Sequence, residues 1–337
     1  MRSKKTAKIF GFSLTYSCSV SLRKRSFASD YVPLNCVLRY FRSEKLQIYL
    51  VFRSLIRTFA IGLVTNHISY SVKIKEIVNA LERFAPLPLQ ESYDNAGLQI
   101  GLTAEQEASG ALLCLDVTEE VIREAIDLGC NLIVSHHPLL FRPLKRVTGA
   151  TQVERCVRLA IQNDIAIYAA HTNLDNAEDG VNYRIAEKLG LVDVQMMQAH
   201  QVQVGERSVT AGSGLIGYLP AAEDSLAFLQ RIKDVFRIEC LQHNELLGRP
   251  IQTVALCGGA GAFLLDEALR LEADAFLTGE MSYHQFFGHE QEIQIAVMGH
   301  YQSEQYTREI FFQIISDLVP DLPLFTTNVD TNPIKYL

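Results

Sequence analysis

From Val72 onward, hydrophobic and polar positions alternate between the helical period and short apolar runs of strand length. Between Lys73 and Phe84 the apolar residues recur every three or four positions, and Pro86 follows. One further predicted helix begins at Thr118. The others are Val153–Gln162, Gly180–Leu189, Ser225–Phe236, Ala262–Leu271, Tyr283–Phe287 and Ser303–Leu318. The predicted strands are Ala111–Val117, Asn131–Ser135, Ile165–Ala170, Leu215–Leu219, Thr253–Cys257, Ala275–Leu277 and Ile293–Met298. This alternation predicts an α/β fold whose largely parallel sheet is covered on both faces.

Residues 1–71 differ from the rest of the chain and form a basic extension that we expect to lie outside the fold. They carry 12 lysines and arginines against two acids. The apolar stretch 46–64 contains Arg53 and Arg57 near its middle, which argues against a membrane span. Three interpretations remain for the extension: upstream sequence joined to a chain that starts near Val72, a transit-like presequence, or a basic tail on an anionic surface.

Composition and charge narrow the class of protein. Of the 337 residues, 48% are hydrophobic and 20% are charged, which is typical of a globular protein of about two domains. The 266 residues after Ser71 carry 19 basic and 36 acidic side chains, so binding to nucleic acid is disfavoured. The seven cysteines form no CxxC pair, and nothing requires an oxidising compartment. We therefore expect a cytoplasmic protein without a membrane segment.

Imidazole and carboxylate side chains follow four predicted strands at the point where each strand ends. They are His136 and His137, His171 with Asp175, Glu280 with His284, and His300 with Glu304. Because ligands of open α/β sheets bind beyond the carboxyl ends of the strands, this pattern favours a metal site. Neutral imidazole and carboxylate suit zinc, iron, manganese, nickel or cobalt. A single histidine at a strand end is more often structural, and we expect His67, His200, His243 and His289 to be surface or structural residues.

The spacing of these residues bears on the number of ions. His136 and His137 are adjacent and point in different directions, so each more easily serves a different ion. His300 and Glu304 are four residues apart across a strand-to-helix turn, so both can face one point. A structural alternative for Glu304 is stabilisation by the helix dipole in the first turn. The pattern is that of a two-metal hydrolytic site.

The sequence contains no motif of the other catalytic classes that we considered. The glycine turn at Gly258, Gly259 and Gly261 does not match G-x-G-x-x-G, and tight turns explain such glycines as well as a phosphate cradle does. The chain has neither a G-x-S-x-G elbow nor a Walker A sequence, which excludes the serine-hydrolase and P-loop classes.

Several segments, in this order, resemble the GTP cyclohydrolase 1 type 2 homologue family, also described as interacting-factor-three-like dinuclear metal proteins. The segments are VKIKEIVNALERFAPLPLQESYDNAGLQIG, SHHPLLFRPLKRV, AAHTNLDNAEDGVN, CGGAGAFLLDEALRLEADAFLTGEMSYH and MGHYQSE. The resemblance covers Val72 to the C-terminus. It implies two α/β lobes, which we assign to residues 72–190 and 191–337, with a dinuclear metal site in the cleft between them. It also implies assembly into a homohexameric ring.

Carried over residue by residue, the resemblance implies specific roles at the site. The metal ligands would be His136, His137, Asp175, His300 and Glu304, with Glu304 shared between two divalent ions. Supporting or substrate-contacting roles would fall to His171, Asn173, Glu280 and His284. The predicted function is a metal-dependent hydrolase of a nucleotide-like small molecule. The alternative is a metal-binding regulatory or protein-interaction protein without turnover.

Overall fold

The computed structural model describes residues 4–9, 12–17, 72–101 and 106–337. The chain divides into two compact units, Met1–Ser69 and Tyr70–Leu337. In the first unit, strand β1 (Lys4–Ile9) pairs with β2 (Phe12–Ser17) in antiparallel register. The interpretations given above for residues 1–71 otherwise fall outside the described residues and stay predictions.

The second unit alternates helices and strands as predicted. Its first half contains α1 (Ile74–Phe84), β3 (Gly97–Ile100), β4 (Ala111–Cys114), α2 (Glu119–Leu128), β5 (Leu132–Ser135), α3 (Gln152–Gln162), β6 (Ala166–Ala169), α4 (Thr172–Asp175) and α5 (Val181–Leu189). The chain continues with β7 (Val192–Met196), β8 (His200–Val204), β9 (Arg207–Ala211), β10 (Leu215–Glu223), α6 (Ser225–Phe236), β11 (Gln242–His243) and β12 (Ile251–Cys257). The last elements are α7 (Leu265–Arg270), β13 (Ala275–Thr278), β14 (Gln294–Val297), α8 (His300–Glu304), α9 (Thr307–Leu318) and β15 (Leu324–Thr326).

Five strands form one sheet in the order β15-β4-β5-β6-β3. The pairs β15–β4, β4–β5 and β5–β6 are parallel, whereas β3 pairs antiparallel with β6 at the edge. Every residue of β4, β5 and β6 is buried, which is why these strands are continuous apolar runs in the sequence. Strand β15 belongs to this sheet although it lies near the C-terminus. The division into lobes at residue 190 stays a prediction.

A second sheet has six strands in the order β11-β14-β13-β12-β10-β7. Its centre, β12–β13–β14, is parallel, and the pairs made by β11, β10 and β7 are antiparallel. The prediction of an α/β fold rich in parallel strands is confirmed. The pattern did not predict the hairpin β8–β9, because its strands are short and largely exposed and carry no continuous apolar run.

Local capping explains several helix boundaries. Helix α2 begins after Thr118, whose hydroxyl accepts a hydrogen bond from the amide of Val121 at 3.3 Å. It ends at Gly129, which takes the left-handed conformation that favours glycine. The predicted helix Ser303–Leu318 is wrong in its start, because α8 and α9 are separate helices. The Ser303 hydroxyl donates to the carbonyl oxygen of His300 at 2.7 Å, a local bond that competes with regular helical pairing.

The longest helices bear on membrane insertion. Helices α6 and α9 have 12 residues each, whereas a membrane span requires about 20. Among the residues that the structure describes, no helix is long and apolar enough to cross a bilayer.

Candidate metal centre

The predicted ligands come from three places that the fold brings together. His136 and His137 directly follow β5, Asp175 ends the short helix α4, and His300 and Glu304 begin and end α8. Potential ligand atoms lie within 4.8 Å of one another in three groups. The groups are His136 with Asp175 and Glu304, His137 with His300 and Glu304, and His136 with His137 and His171. All five predicted ligands are therefore in one cluster, and Glu304 belongs to two groups.

The first group contains a buried nitrogen that has no hydrogen-bond partner among the residues that the structure describes. The Nδ1 atom of His136 lies 2.8 Å from the carbonyl oxygen of Ala170. Because a carbonyl oxygen only accepts, Nδ1 carries the proton, and Nε2 of the neutral ring presents a lone pair. This Nε2 atom is buried without a hydrogen bond, 3.6 Å from Asp175 Oδ1 and 3.7 Å from Glu304 Oε2. A lone pair facing two carboxylates at these distances fits a shared cation and not a direct hydrogen bond.

The second group is more compact. The Nε2 atoms of His137 and His300 both lie 2.9 Å from Glu304 Oε2, and they lie 3.2 Å from each other. Ligands about 2.0–2.1 Å from a tetrahedral ion are about 3.3 Å apart. The spacing of these three atoms is therefore close to that of ligands around one ion. The two groups share Glu304.

The charges in the cluster are strongly unequal. Although burial acts to raise it, the electrostatic effect of the nearby His136 and the hydrogen bonds of His137 and His300 hold the pKa of Glu304 well below its usual range. Burial raises the pKa of Asp175 to about 7, and the negative charge of Glu304 adds to this rise. Of the two carboxylates, Glu304 is therefore the one that the surrounding imidazoles favour in its charged form.

Carboxylates on the outer side of the cluster orient two of the imidazole rings. Asp116 Oδ1 lies 2.7 Å from His137 Nδ1, and Glu280 Oε1 lies 3.0 Å from His300 Nδ1. Although burial acts to lower it, the hydrogen bonds of His137 with Asp116 and Glu304 raise its pKa to about 10. Such outer carboxylates set the ring orientation and raise the basicity of metal-binding histidines.

His171 is the fourth imidazole of the cluster, and the sequence predicts a supporting or substrate-contacting role for it. Its Nδ1 atom lies 2.7 Å from Oδ1 of Asp94, whose side chain is fully buried. Asn173 is also buried: its Oδ1 accepts from the amide of His171 at 2.9 Å, and its Nδ2 donates to the carbonyl of Ala85 at 2.7 Å. Asn173 therefore holds the backbone before α4 and is too deeply buried to contact a substrate.

His284 lies elsewhere. Its side chain is exposed, packs against Tyr283 and Phe287 with ring centroids 5.2 and 6.2 Å away, and is absent from the three groups. His284 therefore lies outside the cluster, and its supporting or substrate-contacting role stays a prediction.

Asp94 and Asp116 also contact the cluster, although the sequence pattern did not predict either of them. Asp116 lies just after strand β4 in the structure, but the predicted strand Ala111–Val117 extends past it, so its place at a strand end was hidden. Asp94 had no signal in the sequence, because it lies in an irregular segment before β3 and reaches His171 only in the folded chain.

The glycine turn after β12 makes room for Glu304. Gly259 has φ +57°, and a Cβ added there would overlap a carboxylate oxygen of Glu304. The amide of Gly259 donates to Ser303 Oγ, and the amide of Gly258 donates to Asn182 Oδ1, both at 2.9 Å. These amides are therefore engaged with side chains, which favours the tight-turn interpretation of the glycines over a phosphate cradle.

Known proteins share both the sequence and the fold. A family model described as Duf34/NIF3 (NGG1p interacting factor 3) matches residues 72–333. A GTP cyclohydrolase 1 type 2 homolog of Clostridium acetobutylicum is 34% identical over 236 residues, which cover 69% of this chain and 86% of that protein. NIF3-like protein 1 of Drosophila melanogaster is 31% identical over 270 residues, covering 78% and 88%. The crystal structure of a Bacillus cereus protein related to NIF3 aligns with a TM-score of 0.71 at 25% identity, over 80% of this chain and 100% of that one.

The fold and the cluster define a mixed α/β protein with side chains that could hold metal ions. The chain belongs to the DUF34/NIF3 family, as the match over residues 72–333 shows. The family resemblance predicted from the sequence is confirmed.

Proposed function

We propose that this chain holds two divalent metal ions and uses them to hydrolyse a nucleotide-like small molecule. The observation that carries the proposal is the position of Glu304, which shares one group of potential ligands with His136 and Asp175 and another with His137 and His300. Two cations a few ångströms apart repel each other unless an anion lies between them. Glu304 is the anion suited to that position.

The division of the ligands follows from the same distances. His136 and Asp175 would hold one ion, and His137 and His300 the other, with Glu304 common to both. When bound, a pair of divalent ions supplies Lewis-acid activation of water for attack on an electrophilic carbon or phosphorus atom. We propose zinc, iron, manganese, nickel or cobalt as the ions, because imidazole and carboxylate ligands suit all five.

The chain's own residues would bind and orient the substrate beside the ions. His171 belongs to a group with His136 and His137, and Asp94 fixes its ring, so it can exchange a proton with a bound molecule. A cavity of about 560 Å³ adjoins the cluster at His300 and offers space for a small substrate. Six of its lining residues are Gly279, Glu280, Met281, Ser282, Gln285 and His300.

The nucleotide-like class of substrate comes from the names of the bacterial relatives. We further propose a hexameric ring in the cytoplasm, which sedimentation of the purified protein and localisation of the tagged chain would test.

The first experiment measures metal content. We expect about two ions per chain in the wild type, about one in His137→Ala, and well below one in Glu304→Gln. Glu290→Gln, at an exposed glutamate, serves as the matched control and should keep two. Double occupancy in a folded Glu304→Gln protein, judged by its melting curve, would contradict the shared-ligand assignment.

The second experiment measures turnover of a panel of nucleotides, phosphoesters and cyclic amides with each metal. We expect hydrolysis by the wild type and by Glu290→Gln, and its loss in Glu304→Gln. A protein that binds two ions and turns over no member of the panel would instead favour the metal-binding regulatory or interaction protein.

A further inference from the structure

A larger cavity of about 1080 Å³ lies beside the metal cluster, and none of the five predicted ligands lines it. Its charge contrasts with that of the chain after Ser71, where acids outnumber basic residues. Five cationic side chains line the cavity, namely Arg184, Lys188, Arg237, Arg308 and Lys335. Three acidic side chains line it, namely Glu239, Glu309 and Asp330. The cavity is therefore a local excess of positive charge within an acidic protein.

Two of these cations have no acidic partner in the part of the chain that the structure describes. Arg184, Lys188 and Lys335 form ion pairs with Glu187, Glu309 and Asp330, respectively. Within residues 72–101 and 106–337, neither Arg237 nor Arg308 forms an ion pair, and the Nε of Arg308 donates only to the carbonyl of Gln305 at 2.9 Å. Two guanidinium groups are thus available to bind an anion.

Both arginines line the cavity together with the aromatic ring of Tyr306. Burial raises the pKa of Tyr306, while the positive charges of Arg237 and Arg308 act against the rise. Lys188 Nζ lies 3.9 Å from the centre of the same ring, and Phe236 packs edge-on against it with centroids 5.8 Å apart. The cavity therefore combines a cationic wall with a packed aromatic one.

Other aromatic side chains extend this surface. Tyr301, Phe312 and Tyr336 also line the cavity. Planar guanidinium groups bind phosphate oxygens in bidentate fashion, and aromatic faces stack on planar rings. A volume of about 1080 Å³ is at the upper end of the range for small-molecule sites, so a ligand with both parts fits.

We propose that this cavity is a second binding site, for a nucleoside phosphate whose phosphate group is bound by Arg237 and Arg308. The site lies close to the metal cluster, because Tyr301 and Gln302 follow His300 on α8. Ile334 and Tyr336 of the C-terminal segment line both this cavity and the smaller one that contains His300 and Glu280. The proposal does not depend on hydrolysis at the metal cluster.

Calorimetric titration of the full-length protein, freed of metal by a chelator, tests the site with adenosine monophosphate, adenosine and inorganic phosphate. Metal-free protein is used because phosphates also bind divalent ions. We expect adenosine monophosphate to bind more tightly than either of its parts. The double variant Arg237→Gln/Arg308→Gln should weaken binding by about a hundredfold, since each of the two lost charge-assisted hydrogen bonds carries about a tenfold factor.

Three further variants make the result specific. Arg123→Gln/Arg270→Gln removes two exposed arginines outside the cavity and should leave the affinity unchanged. Glu304→Gln should also bind adenosine monophosphate as the wild type does. Arg237→Lys/Arg308→Lys keeps the charge without the planar guanidinium and should recover part of the affinity. Such recovery would show that the glutamine variant loses affinity through the lost charge and not through misfolding.

Several outcomes would overturn the proposal. They are the absence of binding to the wild type, equal affinity of the wild type and the Arg237→Gln/Arg308→Gln variant, and loss of binding in Glu304→Gln. Equal affinity for phosphate and for adenosine monophosphate would overturn the nucleoside part. None of these outcomes changes the expected metal content, so they are distinguishable from failure of the proposed hydrolase.

Discussion

The Nε2 atoms of His137 and His300 lie 3.2 Å apart, although 163 residues separate them in the chain. His137 follows β5 of the five-stranded sheet, and His300 follows β14 of the six-stranded sheet. The cluster is therefore complete only when both sheets have formed. A metal ion that binds these two atoms binds the folded state and not the unfolded chain.

Metal removal should accordingly destabilise the protein. At a metal concentration of about one hundred times Kd, binding stabilises the folded state by about 2.7 kcal/mol. For a domain of this size, each kcal/mol of unfolding free energy shifts the melting temperature by about 2–4 °C. We expect a chelator to lower the melting temperature of the wild type by several degrees and to have a smaller effect on Glu304→Gln. An equal shift in both proteins would show that the ions act outside the cluster.

Replacing Asp94 should weaken metal binding through His171, because His171 forms a third group of potential ligands with His136 and His137. Asp94 accepts hydrogen bonds from the His171 ring and from the amide and hydroxyl of Thr172. Although burial acts to raise it, these bonds hold the pKa of Asp94 at about 2, so it is a carboxylate at neutral pH. Asp94→Asn should lower metal affinity by about tenfold, which is usual for such outer partners. Competition with a fluorescent chelator measures this, with the exposed Asp127→Asn as the control; equal affinities would exclude a role for Asp94.

Gly259 and Gly190 form a matched pair for testing the space around Glu304. Both have positive φ, +57° and +71°, but a Cβ at Gly190 would meet open space whereas one at Gly259 would overlap Glu304. Gly190→Ala should lower the free energy of unfolding by about 1 kcal/mol through backbone conformation alone, and the variant should keep its metal. Gly259→Ala should be less stable and also lose metal, because Glu304 must move. Metal analysis and thermal melts check both variants, and full metal content in Gly259→Ala would contradict this role of the glycine.

The loop before α3 should respond to acid through Glu154. One carboxylate oxygen of Glu154 accepts hydrogen bonds from the Thr148 hydroxyl and from the amides of Thr148, Gly149 and Ala150. These bonds lower the pKa of Glu154 from 4.5 to about 2. Because the folded-state pKa is the lower one, the stabilisation is fully present above about pH 4.5 and is lost as the pH falls toward 2.

Thermal melts of the wild type and Glu154→Gln across this range test the effect. We expect the wild type to be the more stable at pH 6 and the two proteins to converge near pH 2. Glu120→Gln, at an exposed position on α2, provides the control for a lost surface charge. A difference between the wild type and Glu154→Gln that does not vary with pH would contradict the prediction.

Deleting Met1–Ser71 should leave folding, metal content and oligomer size unchanged. The five predicted ligands all lie in the unit Tyr70–Leu337, and the composition of the chain changes abruptly near Val72. Circular dichroism, metal analysis and sedimentation of the truncated protein check the expectation. Loss of the thermal transition on truncation would mean that the extension contributes to the fold.

Local sequence determined the α/β alternation and most of the ligand cluster. Threonine caps, such as Thr118, and buried apolar strands act over a few residues, so their signals survive in a single sequence. The carboxyl ends of parallel strands share one edge of a sheet, which is why His136 and His300 could be predicted to lie at such an edge. The family resemblance supplied the assignment of Glu304 as the shared ligand.

Tertiary structure decided the rest. The contacts of Asp94 with His171 and of Asp116 with His137 join residues 77 and 21 positions apart, and no local spacing encodes such a pair. The antiparallel direction of β10, the place of β15 in the first sheet and the space that Gly259 leaves for Glu304 also depend on how distant segments pack. The chain alone determined which residues can bind a metal, because that is a property of the side chain and of its place at the end of an element. Only the packed fold decided their distances and protonation, since burial and neighbouring charges arise from residues that meet after folding.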